Sequence, residues 1–128
     1  MTEKRFLQYY ELLQAADKEN LDSPYIQHGI VHIFHALFDA SIQTFAQALR
    51  QDGDYLASMG SPREILLGAY EKYVFIDEET WLDMLEDRMR STQLDVCHVC
   101  QRILQRFLPA FTAVKTELID KMPVSVIK

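Results

Sequence analysis

The sequence predicts an all-α fold: an up-and-down bundle of about five helices forming a single domain over residues 1–128. Three observations predict it. Apolar residues recur at three- and four-residue steps through most of the chain, helix-capping signals interrupt those runs at short intervals, and 128 residues suit one hydrophobic core. A composition of 48% hydrophobic and 25% charged residues is that of a globular chain and excludes a disordered one.

Thr2 is placed to cap a first helix running to about Lys18, with Phe6, Tyr9, Tyr10, Leu13 and Ala16 on one side. The polar run Asp17-Lys18-Glu19-Asn20 breaks that pattern, and Ser23-Pro24 restarts it as N-cap and first helical residue. From Pro24 to about Gln51, Ile26, Ile30, Ile33, Phe34, Leu37, Phe45 and Leu49 fall on one broad side of a long second helix. Asp52-Gly53-Asp54 ends it, because glycine accepts the left-handed conformation of a helix stop.

Ser61-Pro62-Arg63-Glu64 combines a capping serine, a proline at the first helical position and a glutamate that can reach back to the serine amide. The third helix starts there and carries Ile65, Leu66, Ala69 and Tyr70. It is short, since Tyr73-Val74-Phe75-Ile76 runs into a new cap at Asp77. Asp77, Glu78 and Glu79 complement the dipole of a fourth helix on which Trp81, Met84, Leu85 and Arg88 share a stripe, with Asp83, Glu86, Asp87 and Arg90 towards the other side.

Thr92 with Asp95 has the spacing of a capping box. The apolar stripe Val96, Val99, Cys100, Ile103, Leu104, Phe107, Leu108 and Phe111 then predicts a fifth helix to about Asp120, bent or split at Pro109. The segment from Met122 to Lys128 has strand-like residues and no evident partner, and reads as a docking tail or a frayed end. No internal repeat is present.

The formal charge of -6 argues against a broad nucleic-acid footprint, which needs clustered Lys and Arg, and leaves room only for a focused local RNA site. No uninterrupted apolar stretch serves as a signal peptide or membrane span, and two cysteines three apart cannot staple distant elements, so a reduced cytoplasmic setting is expected. There is no Gly-rich phosphate loop, GxSxG elbow or HExxH, and no cofactor is implied.

His28, His32, His35 and Asp39 occupy a narrow arc of the second helix and could present metal ligands. A solvated or partner-facing stripe is the commoner origin of such a pattern. Cys97-His98-Val99-Cys100 lacks the second ligand pair of a zinc site and the preceding strand of a redox motif, so both thiols read as small core residues. Trp81 reads as a core anchor rather than a stacking platform. Arg88 has two readings: a structural ion pair, or a cleft arginine that meets phosphate or a partner's carboxylate.

Three stretches together resemble the HEPN superfamily, in particular its nucleotidyltransferase substrate-binding group. They are Ile30-Val31-His32-Ile33-Phe34 onward, Ser61-Pro62-Arg63-Glu64-Ile65, and Trp81-Leu82-Asp83-Met84-Leu85-Glu86-Asp87-Arg88; Phe107-Leu108-Pro109-Ala110 is similar to the family's aromatic-Leu-Pro element. The resemblance implies a HEPN-like bundle that forms homodimers and packs against a nucleotidyltransferase partner protein, in two-gene modules of toxin-antitoxin type, with the nucleotidyltransferase's nucleotide or substrate as a further ligand.

Many such relatives are metal-independent ribonucleases whose motif is an arginine, usually followed by asparagine, then a histidine five residues after the arginine and often a tyrosine two further on. Arg88 matches the arginine, but Met89, Gln93 and Asp95 stand at the other three positions. A glutamine amide cannot exchange a proton near neutral pH, so the motif is broken as a catalyst and the chain is expected to bind rather than cut. The rival expectation is a ribonuclease in which a displaced group such as His98 replaces the missing imidazole. Relatives also tend to carry glutamates at the positions of His35 and Asp39, and Trp-Lys at Ile42 and Gln43. The candidate binding residues are therefore Arg88, Trp81, Asp87, His35 and Asp39.

Overall fold

The computed structural model describes residues 2–90 and 95–120. Its elements are α1 (Thr2–Ala15), prolonged by a 3-10 turn over Ala16–Lys18, α2 (Pro24–Gln51), α3 (Tyr55–Ser58), α4 (Pro62–Lys72) and α5 (Glu78–Arg90), followed by α6 (Val96–Arg102) and α7 (Leu108–Val114). Wider π-helical turns over Ile103–Phe107 and Lys115–Ile119 make residues 96–119 one helical path. No strand occurs among the described residues, and no helix among them is long and apolar enough to cross a membrane.

The architecture is organised around α2, which packs against α1, α3, α4, α5 and α6. The sequence pattern predicts one broad apolar side for this helix. In the structure Leu37, Phe38, Ala40, Ser41, Ile42, Thr44, Phe45 and Ala46 are all buried, so neighbours cover most of its middle and leave Asp39 and Gln43 exposed there. Ser41 and Thr44 tolerate this because their hydroxyls donate to the carbonyls of Leu37 (2.8 Å) and Ala40 (2.9 Å) one turn back. Aromatic rings bind the layers together: Phe34 stacks on Phe107 at 5.5 Å, and the Tyr10 and Thr112 hydroxyls share a 2.8 Å hydrogen bond between α1 and α7.

Local chemistry sets most boundaries as the sequence predicts. Gly53, with φ of +91°, lies just beyond the end of α2. Ser61 and Glu64 complete a reciprocal capping box, with Ser61 Oγ accepting from the Glu64 amide (3.2 Å) and the Glu64 carboxylate accepting from the Ser61 amide (3.0 Å). A Cβ at Gly60 would stand 2.7 Å from Cβ of Glu64, so the approach to this cap needs glycine. Asp77 opens α5 by accepting from the Thr80 amide at 3.2 Å.

Several expectations need correction. Asp54 does more than close α2: it accepts from the Ala57 amide and caps α3, a single turn too short to show a periodicity. Asp95 is itself the N-cap of α6, accepting from the Cys97 amide at 2.9 Å, and is not the far member of a box; Thr92 lies outside the described residues. The helical path is not split at Pro109, because the π turn over Ile103–Phe107 widens the backbone ring just ahead of the proline. Asp87 faces inward rather than outward. It is 7% exposed and accepts from Arg102 Nε at 2.8 Å, while Asp83 pairs with Arg106 at 2.6 Å, so this edge of α5 meets the 96–119 rod. Cys97 is exposed, so only Cys100 is a core thiol. The tail from Met122 lies outside the described residues.

Candidate functional site

The middle of α2 and the end of α5 bring Asp39 and Arg88 together across the bundle. Arg88 Nε donates to Asp39 Oδ1 at 3.3 Å and Nη2 to Oδ2 at 3.1 Å, the fork-to-fork geometry of a guanidinium and a carboxylate. Their side chains remain 37% and 54% exposed, so water and ligands reach both. Arg88 is thus an ion-pair residue and a cleft residue at once.

The cleft is a cavity of about 500 Å³ whose apolar wall comes from Phe38, Pro62 and Leu85. Arg63 and Arg88 supply two guanidinium groups, Asp39 a carboxylate, and Met89 lies at the rim, 74% exposed. Ser61 and Pro62 are there because the capping box fixes the start of α4 against this edge. Ser61, Pro62 and Arg63 at the start of α4 and Leu85 and Arg88 near the end of α5, far apart in sequence, therefore line one groove. Chemically it is suited to an anionic group attached to an apolar body: a fork of donors beside a dry wall.

One turn before Asp39, His35 is half-buried and coupled to the same pair. Burial, followed by the Arg88 charge and the His32 imidazole, holds its pKa below the ordinary 6.5, while Asp39 pulls it up. Its Nε2 is buried without a hydrogen-bond partner. The depressed folded value means that the unfolded chain takes up the proton first as the solution is acidified. Stability is therefore expected to fall with pH from about 6.5 until folded His35 is protonated, and His35→Gln should flatten that part of a urea-midpoint-versus-pH curve. An unchanged slope in the variant would show that other groups set it.

A family model described as nucleotidyltransferase substrate binding protein like matches residues 3–120. The chain belongs to this family. No curated protein matches the chain, and no solved structure does. The nucleotidyltransferase substrate-binding match runs from the first turn of α1 to Asp120 and so includes every residue of the Arg88 groove.

The other candidates fall outside the groove. Trp81 is 1% exposed and packs on Phe38, Phe45 and Phe111, which makes it a core residue. Asp87 is held by Arg102. His98 is exposed with Nδ1 3.6 Å from Asp95 Oδ2, so its neighbour is the α6 cap rather than the α5 guanidinium. His28 and His32 are exposed, and no group of three or more His, Cys, Asp or Glu side chains among the described residues comes together as a metal site. Gln93 lies outside the described residues.

Sequence reasoning missed the pairing of Asp39 with Arg88, the place of Arg63 in the same groove, and the coupling of His35 to Arg88. The signal for Arg63 was present, since it sits inside the most distinctive capping segment of the chain. For the other two the partners lie far apart in the chain, 49 residues in the case of Asp39 and Arg88, and no local pattern joins them.

Proposed function

We propose that this chain is the non-catalytic binding subunit of a two-component nucleotidyltransferase module, HEPN-like in fold and homodimeric, and that its Arg88 groove receives an acidic group of the nucleotidyltransferase. The observation that carries the reading is the bidentate Arg88–Asp39 contact at the mouth of an apolar groove. In the free chain a carboxylate already occupies the arginine fork, which defines the type of group the fork accepts. Family membership supports the partner class, since the family's description refers to nucleotidyltransferase substrate binding. The test is co-expression with the product of the neighbouring gene, followed by size-exclusion chromatography with light scattering. A stable complex with a nucleotidyltransferase is expected; a neighbour of another class together with a chain that elutes alone sinks the assignment.

A second reading, a ribonuclease with a displaced general base, is favoured by one observation: His35 is an imidazole of depressed pKa within the electrostatic reach of Arg88. It is a better substitute than His98, which sits on Asp95. RNA cleavage by the wild-type chain that disappears in both Arg88→Ala and His35→Gln would establish it, and intact RNA in the wild-type reaction would dismiss it.

A further inference from the structure

The two thiols occupy different environments one helical turn apart. Cys97 follows directly on the Asp95 cap and Val96, and is exposed; Cys100 is buried, with its Sγ 3.2 Å from the Gln27 carbonyl oxygen of α2, to which it donates. Both line a cavity of about 340 Å³ to which the chain between α1 and α2 contributes Leu21 and Asp22 and the 96–119 rod contributes Leu104. Ideal helix geometry puts Cα atoms three residues apart at about 5 Å, inside the span of about 4.4–6.8 Å that a disulfide requires. Their Cβ atoms share a face at about 5–6 Å, wider than the roughly 3.5–4.5 Å of a closed bridge. Closure therefore requires the first turn of α6 to tighten towards 3-10 geometry, in which side chains three apart eclipse.

The core reading explains Cys100 and leaves Cys97 without a packing role. We propose that Cys97 and Cys100 form a dithiol modification site that a low-molecular-weight disulfide such as glutathione disulfide, entering this cavity, converts to a disulfide within the helix.

The order of events follows from access. Cys97, once its proton has gone to solvent, attacks one sulfur of the incoming disulfide; the S–S bond breaks, and the departing thiolate takes up a proton as free glutathione. Cys100 then releases its own proton to solvent and attacks the Cys97 sulfur, expelling the second glutathione thiolate, which is protonated in turn. Two protein thiols are oxidised, one external disulfide is reduced to two thiols, and no other oxidant is needed. Burial, and secondarily the neighbouring Cys97, push the Cys100 thiol up to about 11, which suits it to resolve a bond already made next to it and not to make the first attack. A disulfide closed across a helical turn is strained enough for cellular thiols to reopen it. While closed, it removes the donor that Cys100 offers to Gln27 and so loosens α6 against the start of α2.

The test uses the full chain with glutathione disulfide, read by intact mass and by counting alkylatable thiols. Wild type should lose two hydrogens and both thiols with no adduct retained, and dithiothreitol should restore both. Cys100→Ser should stop at one stable glutathione adduct on Cys97. Cys97→Ser should react about tenfold more slowly or less; circular dichroism matching wild type confirms that both serine variants are folded. An adduct that persists on Cys97 in the wild-type chain, thiols that survive treatment, or a covalently linked dimer overturns the proposal.

Discussion

Trp81→Ala is expected to cost about 3–5 kcal/mol of folding stability, a large part of the roughly 5–15 kcal/mol that a domain possesses. The indole is 1% exposed and meets three phenylalanine rings, edge-on to Phe45 at 5.0 Å and to Phe111 at 5.5 Å, and tilted on Phe38 at 6.1 Å. It therefore joins α5 to α2 and to α7, and truncation opens a void that two further helices line. Neighbours can fill the space only by moving whole helices, because the surrounding interior is close-packed. Urea unfolding followed by circular dichroism should show the midpoint drop sharply, whereas Tyr25→Ala, at an 89% exposed position, should move stability by no more than about 0.5 kcal/mol. A Trp81→Ala chain as stable as wild type would mean that the ring is a surface platform after all.

The contrast between Trp81 and Asp87 shows what the sequence could reveal. Both lie on α5, and a helical wheel assigns one to the core and the other to solvent. The assignment holds for Trp81 because apolar periodicity records burial directly. It fails for Asp87 because α5 is covered on a second side by the 96–119 rod, where arginines at 102 and 106 meet carboxylates at 87 and 83 with a matching four-residue step. Two charged stripes that pair across an interface each look solvent-facing in isolation. Boundaries were legible at Ser61 and Asp77, where cap donor and acceptor lie three residues apart, but not at Asp54, whose cap serves a helix of a single turn. The site was legible as separate residues only. Arg88, Asp39 and His35 each stand out by type or position, but what makes them one site is the docking of α5 on α2, a tertiary contact that no short-range pattern encodes.

That docking yields the second large effect. If the Arg88 fork receives a partner carboxylate, Arg88→Ala should weaken binding of the nucleotidyltransferase by about 1.5–3 kcal/mol, or roughly 10- to 100-fold, the worth of charge-assisted hydrogen bonds. Arg88→Lys should recover only part of this, because an ammonium keeps the charge and loses the fork. Asp39→Ala should act in the opposite sense. Asp39 competes for the same guanidinium, and since both side chains are about a third or more exposed, their pair is worth at most about 1 kcal/mol. Removing the competitor should then tighten the complex by no more than roughly fivefold at little cost in stability. In the double variant the Asp39 effect should vanish, because it operates only through Arg88, and titration calorimetry on the four chains gives this coupling directly. Should Asp39→Ala instead weaken the complex as much as Arg88→Ala does, the carboxylate is itself a contact, and the groove recognises a cation-bearing or hydrogen-bond-donating partner surface through the pair as a unit.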